Sequence, residues 1–354
     1  MRPSCEVHPA RSTRFLRAGA TFTKNGGSLA YAVSASVLSA QGASTTSQHN
    51  GVGDSMRYFT TALIALGGAC AAFFAMPAGS AKADLTPEEI TEGRKYVVNN
   101  AIFILFHEGG HMLVSELGLP VLGREEDAVD GLSSVMLLES EDEELRAAMQ
   151  DAADGWFLID ANNAQGVEET DFQGTHGLNK QRAYALVCMM SGKDPEYFKA
   201  FIDSLEFPEE RREQCVAEYE QTRDSWWGVL DPYVDDTKTS NFTVTYEPAG
   251  DDLQYVEDML KEGQVLEAIS ATFGEGYNIP DGIKVTAKTC GVINAFWDPA
   301  AREITFCYEF AAHHADLVSQ YFEENRAPSS PEDQPQADEK RGMISALKAA
   351  ASDP

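Results

Sequence analysis

The sequence predicts an α+β protein, a mostly helical body with a small β-sheet or hairpin contributed by the C-terminal part. Three observations predict this. Apolar residues recur at helical spacing, with capping residues at the ends, over most of the chain before residue 240. The spacing then changes to alternation in NFTVTYEP, GIKVTAKTC and CGVINAFWDPAAREITFCYEF. Four cysteines follow residue 84, an even number that suits covalent staples in an oxidising compartment.

The chain has 354 residues. Residues 1–55 are Ser/Ala/Gly-rich and basic without periodicity, so they are read as an unstructured extension or a mis-assigned start. Met56-Arg57 begins a new pattern: one positive residue, an apolar run from Ala62 to Ala78, then Ala81-Lys82-Ala83. That order is a signal peptide, 56–83, with an A-x-A cleavage site. Gly67, Gly68 and Pro77 interrupt the run, which is marginal for a membrane span. A lipid anchor through Cys70 is disfavoured because Leu66 lies one position too far upstream. The expected product is exported, periplasmic or secreted, with no stable membrane span after cleavage. A membrane-anchored form is the less favoured alternative.

The folded domain is expected over 84–325. Thr86-Pro87-Glu88-Glu89 starts a helix, with Thr86 as cap, Pro87 at the first position and Glu89 completing a capping box. The pattern runs to Leu117, where Gly118 fits a left-handed C-cap. A second helix begins near Glu125 and runs through DGLSSVMLLE. Residues 141–155 supply a third. LNKQRAYALVCMM, at 178–190, supplies another, closed by Gly192, and two shorter helices fit 195–223. A helical stretch at 251–270 separates the strand NFTVTYEP from GIKVTAKTC. Asp298-Pro299 turns VINAFW back onto EITFCYEF as a hairpin. The tail, 326–354, contains the polar APSSPEDQPQADEK, read as disordered, and then a possible short helix.

The chain carries 56 acidic against 27 basic residues. Seven of the basic and two of the acidic residues precede residue 84, which leaves 54 against 20 in the mature part, a formal charge of −34. Nucleic acid is therefore not an expected partner, because phosphate neutralisation needs a basic face. Sequence proximity favours the disulfides Cys188–Cys215 and Cys290–Cys307 over the other two pairings.

His107, Glu108 and His111 form H-E-x-x-H inside the first helix. Residues four apart share a helix face, so two imidazoles can converge on one zinc while the glutamate reaches a water beside it. The surrounding run from Ala101 to Phe106 is apolar, so this helix is expected to be buried, and buried histidines need partners. Gly109-Gly110 costs helix stability and points to close backbone packing. A catalytic zinc needs a third ligand and an open position. Glu125, Glu126, Asp127 and Asp130 are the candidates. Glu126 is assigned as ligand and Asp130 as the outer hydrogen-bond partner of His107 or His111, since the two share a helical face. Glu125 is expected to serve the helix N-terminus. His176, Arg182 and Tyr184 are candidates for stabilising a negatively charged transition state, or for structural roles. His313-His314 is expected at the surface.

These blocks, HEGGH, LGLPVLGREEDAVD, HGLNKQRAYALVCMMSGKDP, CGVINAFWDP and ITFCYEF, resemble the zincin-like metallopeptidase family of exported bacterial proteins called DUF4344. The resemblance covers most of residues 85–320. It implies one zinc per chain at His107 and His111, Glu108 as base, an acidic third ligand within EEDAVD, and a peptide or protein substrate of unspecified identity. In many zincins the strands precede the active helix, whereas here the clearest strands follow it. The expected function is an exported zinc metallopeptidase. The alternative is a non-catalytic zinc-binding envelope module with the same fold, which would have no need of Glu108.

Overall fold

The computed structural model describes residues 85–140 and 142–326. The segments expected to be an extension, a signal peptide and a tail lie outside the described residues. Helix α1 (Pro87–Leu117) starts on a capping box formed by Thr86 and Glu89, and ends at Gly118 with φ 62°. It is buried on nearly every side from Asn99 to Gly110. A helix apolar all round must lie inside the molecule, and α1 does. Helices α2 (Glu125–Leu138) and α3 (Glu143–Ala161) pack against it.

Helix α4 (Asn179–Lys193) runs through Gly192 rather than stopping there. A Cβ at Gly192 would stand 2.3 Å from the Cys215 carbonyl oxygen. That glycine therefore lets α6 approach, and the helix closes at Asp194. The two short helices expected over 195–223 are unequal: α5 (Lys199–Ser204) has 6 residues and α6 (Glu209–Leu230) has 22. The disulfide Cys188–Cys215 joins α4 to α6 as expected.

The second half adds β1 (Val234–Thr239), β2 (Phe242–Tyr246), α7 (Gln254–Glu262), α8 (Val265–Gly274), β3 (Glu275–Tyr277), β4 (Ile283–Lys288), β5 (Ala295–Asp298), β6 (Glu303–Cys307) and α9 (Tyr308–Asn325). The single stretch expected at 251–270 is two helices, because Gln264 turns left-handed with φ 48°. Strands β5 and β6 pair antiparallel as the expected hairpin. The sheet is mixed, in the order β2-β4-β6-β5, with β2, β4 and β6 parallel. A separate ribbon of β1 and β3 was not expected. Phe242, Val244, Ile283, Val285, Ile304 and Phe306 turn inward, while Thr243, Thr245 and Lys284 face out. This alternation holds along edge strand β2, whereas Thr286 and Thr305 on the opposite face of β4 and β6 are buried too, so the centre of the sheet is covered on both faces. Edge strand β5 lies beside α1, and Cys290–Cys307 ties the loop before it to the end of β6. Among the described residues no helix is long and apolar enough to cross a membrane.

Candidate metal centre

The two glycines of HEGGH bring the site together. A Cβ on Gly109 would stand 2.4 Å from the Phe273 ring of α8. One on Gly110 would stand 2.8 Å from Val129 Cβ of α2. Val129 immediately precedes Asp130, so the close approach at Gly110 sets α2 against the histidines.

The result is a small triangle. His107 Nε2 lies 3.1 Å from Glu126 Oε2, His111 Nε2 lies 3.2 Å from the same oxygen, and the two nitrogens are 3.2 Å apart. Three donors each about 2.0–2.1 Å from a tetrahedral zinc stand roughly 3.3 Å from one another. The residues present therefore fit a metal ion. Behind the triangle, His107 Nδ1 donates to Asp130 Oδ1 at 2.7 Å, and His111 Nδ1 donates to Glu125 Oε1 at 2.8 Å. Both outer nitrogens are thus engaged, so both Nε2 atoms face the triangle, and a bound metal would take the place of the protons they share with Glu126. Glu108 lies beside the triangle, is 6% exposed, and accepts the backbone N–H of Trp297 in β5.

The local charges separate the carboxylates. Burial would raise the Glu126 pKa, but hydrogen bonds from His107, His111 and His176 hold it far below the usual range. Burial would raise Asp130 too, yet His107 and Arg182 hold it at about 2. Burial raises Glu108, only partly offset by the two histidines and the Trp297 N–H. Burial would lower both histidines. Glu126 and Glu125 instead raise His111 to about 9, and Asp130 and Glu126 raise His107. Carboxylates pushed apart in this way are suited to different tasks.

The remaining residues singled out in the sequence divide. His176 comes from the loop between α3 and α4, is half-exposed, and places Nε2 2.9 Å from Glu126 Oε2. It stands outside the ligand triangle. Arg182 is buried against Asp130 with a two-pronged hydrogen bond, so it faces the support of the site. Tyr184 packs edge-on to Phe157 and stacks on Phe207, and the structure does not bring it to the triangle. His314, expected at the surface, is 2% exposed, with Nδ1 3.2 Å from the Tyr96 hydroxyl. The buried face of α9 draws it inward, whereas its neighbour His313 is half-buried. Glu125 sits in the first turn of α2, as expected, and also holds His111, a role the sequence did not reveal. Trp156, which lies against Arg182, and the Trp297 N–H were missed as well; neither carries a local sequence signal.

A second cluster with ligand spacing, Cys290, Cys307 and Glu309, is already engaged. Its sulfurs are bonded to each other, and Glu309 accepts the N–H groups of Cys290 and Gly291.

A family model described as "Putative metallopeptidase" matches residues 70–230 and 246–344. The chain belongs to this family, DUF4344. The DUF4344 match spans both α1 and α2, which carry the triangle, and strands β4, β5 and β6 of the sheet that flanks it. Neither a curated protein nor a solved structure matches the chain.

Proposed function

We propose that this DUF4344 protein is an exported zinc-dependent peptidase, in which His107, His111 and Glu126 hold the metal and Glu108 is the general base. The triangle of donors beside a buried glutamate carries this reading. The two disulfides and the sequence of residues 56–83 support export.

A zinc ion bound there supplies Lewis-acid polarisation of the scissile carbonyl and acidifies a water toward neutrality. The chain supplies the rest. Glu108 takes a proton from the attacking water and returns it to the leaving amine. Burial, which raises its pKa above the ordinary carboxylate value, favours the protonated form that must exist between the two transfers. His176, half-exposed at the rim of the triangle, contacts Glu126 through Nε2; turned away from that contact, it would donate to the developing oxyanion. Asp130 and Glu125 orient the two histidines.

Glu108→Gln tests the mechanism. It keeps the shape of the side chain and the metal ligands but cannot accept the proton. Zinc content is expected to stay near one per chain while peptide cleavage falls by about 10²–10⁴-fold. Cleavage surviving in that variant would sink the assignment.

A further inference from the structure

The contacts behind His107 extend two residues beyond Asp130, one through hydrogen bonds and one through an aromatic ring. Arg182 of α4 is 7% exposed. Its Nε donates to Asp130 Oδ2 at 2.8 Å and its Nη2 to Asp130 Oδ1 at 2.7 Å. The guanidinium carbon lies 3.7 Å from the centre of the Trp156 ring, on α3. Asp130 Oδ1 accepts His107 Nδ1 at the same time. A continuous chain of contacts, Trp156–Arg182–Asp130–His107, therefore links α3, α4 and α2 to the helix that carries the histidines.

We infer that Arg182 and Trp156 are positioning residues that set how tightly the centre holds its metal. The inference rests on the zinc reading above. A lone aspartate can rotate and offer either oxygen in several directions. A planar guanidinium bonded to both oxygens fixes the carboxylate plane. Once that plane is fixed, Oδ1 presents itself to His107 along one direction, which selects the imidazole tautomer and ring angle that aim Nε2 at the triangle. The Trp156 ring fixes the guanidinium plane in turn, because a cation held against an aromatic face is attracted to it. Simple neutralisation of a buried aspartate would need only a positive charge. The fork geometry and the aromatic floor go beyond that requirement.

The test is the zinc dissociation constant of the purified mature protein, measured by competition with a chromophoric chelator. Folding is checked by circular dichroism. Arg182→Met is expected to weaken zinc binding about tenfold, the range seen when partners behind a ligand histidine are removed. Arg182→Lys keeps the charge but not the fork, and should fall between Met and the parent. Trp156→Leu should weaken binding about threefold. Because Arg182 acts through Asp130, the double variant Asp130→Asn/Arg182→Met should bind no more weakly than Asp130→Asn alone. Unchanged affinity in both Arg182→Met and Trp156→Leu overturns the inference, and so does full additivity in the double variant. If Arg182→Met does not fold, Arg182→Lys and Trp156→Leu decide the matter by the same criterion. A parent protein that binds no zinc sinks the metal reading itself, a result distinct from parent binding that the variants leave unchanged.

Discussion

Glu108 and Glu126 are the same residue type within one site, yet their surroundings push them in opposite directions. Three imidazoles keep Glu126 ionised, while burial keeps Glu108 ready to hold a proton. Glu126→Gln should therefore lose zinc. Asp127→Asn, one position along, should keep it, because Asp127 is exposed and pairs with Arg124. Zinc bound per chain, measured by elemental analysis, separates the two. If Asp127→Asn loses zinc and Glu126→Gln keeps it, the ligand assignment is wrong. His107, Glu108 and His111 could be read from the sequence because their relation is local, one turn of one helix. Glu126 and Asp130 were picked from a cluster of four acidic residues by their own local i, i+4 spacing, but which histidine Asp130 holds was left open, because the facing helix is not local to them. His314 was misplaced, and Tyr184 was left open between a catalytic and a structural role, of which the structure shows the packing one. Whether a single side chain faces core or cleft depends on neighbours distant in sequence, Phe157 and Phe207 for the one and Tyr96 for the other.

Helix α1 shows how an apparent weakness fits the structure. Gly109 and Gly110 lower helix propensity, yet each faces a partner too close for a Cβ. Gly110→Ala must push Val129 away and is expected to cost about 1–3 kcal/mol of stability as overpacking. It should also weaken zinc binding, because α2 moves with Val129. Chemical denaturation and chelator competition check both effects, and an Ala variant that is as stable and binds as tightly as the parent would refute the packing argument.

The other end of the same helix packs polar groups. Asp154 of α3 is 2% exposed, and neither carboxyl oxygen has a hydrogen-bond partner. Tyr96 from α1, Asp151 from α3 and Tyr321 from α9 lie within its electrostatic reach, and Asn100 and His314 pack against its neighbour Gly155. Burial raises the Asp154 pKa well above the ordinary value. The folded state thus holds this proton more tightly than the unfolded chain does. Its penalty is absent below about pH 3.9 and grows as pH rises past that value. Asp154→Asn removes the penalty, so the variant should gain about 1–3 kcal/mol at pH 8, with the gain vanishing near pH 4. Urea denaturation at the two pH values measures it, and a gain that is larger at pH 4 would contradict it. Ends marked by a box or a left-handed glycine, such as Thr86 and Gly118, were legible. The run through Gly192 and the break at Gln264 were not, because packing and a left-handed non-glycine residue decide them.

The whole molecule sets one long histidine helix inside a jacket of helices and closes one side with a mixed sheet. The class was legible, since the change of period after residue 240 is strong. The parallel order of β2, β4 and β6 was not, because each pairing spans intervening elements and no turn residue announces it. The disulfides were legible through proximity, and they staple both halves. Replacing Cys188 and Cys215 by alanine should lower stability by about 2–4 kcal/mol, read as a shift in the denaturation midpoint. No shift would show that α4 and α6 need no staple. In the proposed function, α1 and α2 together build a catalytic zinc centre. Its most direct test is zinc per chain alongside peptide cleavage for the mature protein, with and without chelator, and for Glu108→Gln. One zinc is expected in both proteins, and cleavage only in the metal-loaded parent. A parent that cleaves peptides without any metal, or that carries no zinc at all, would contradict it.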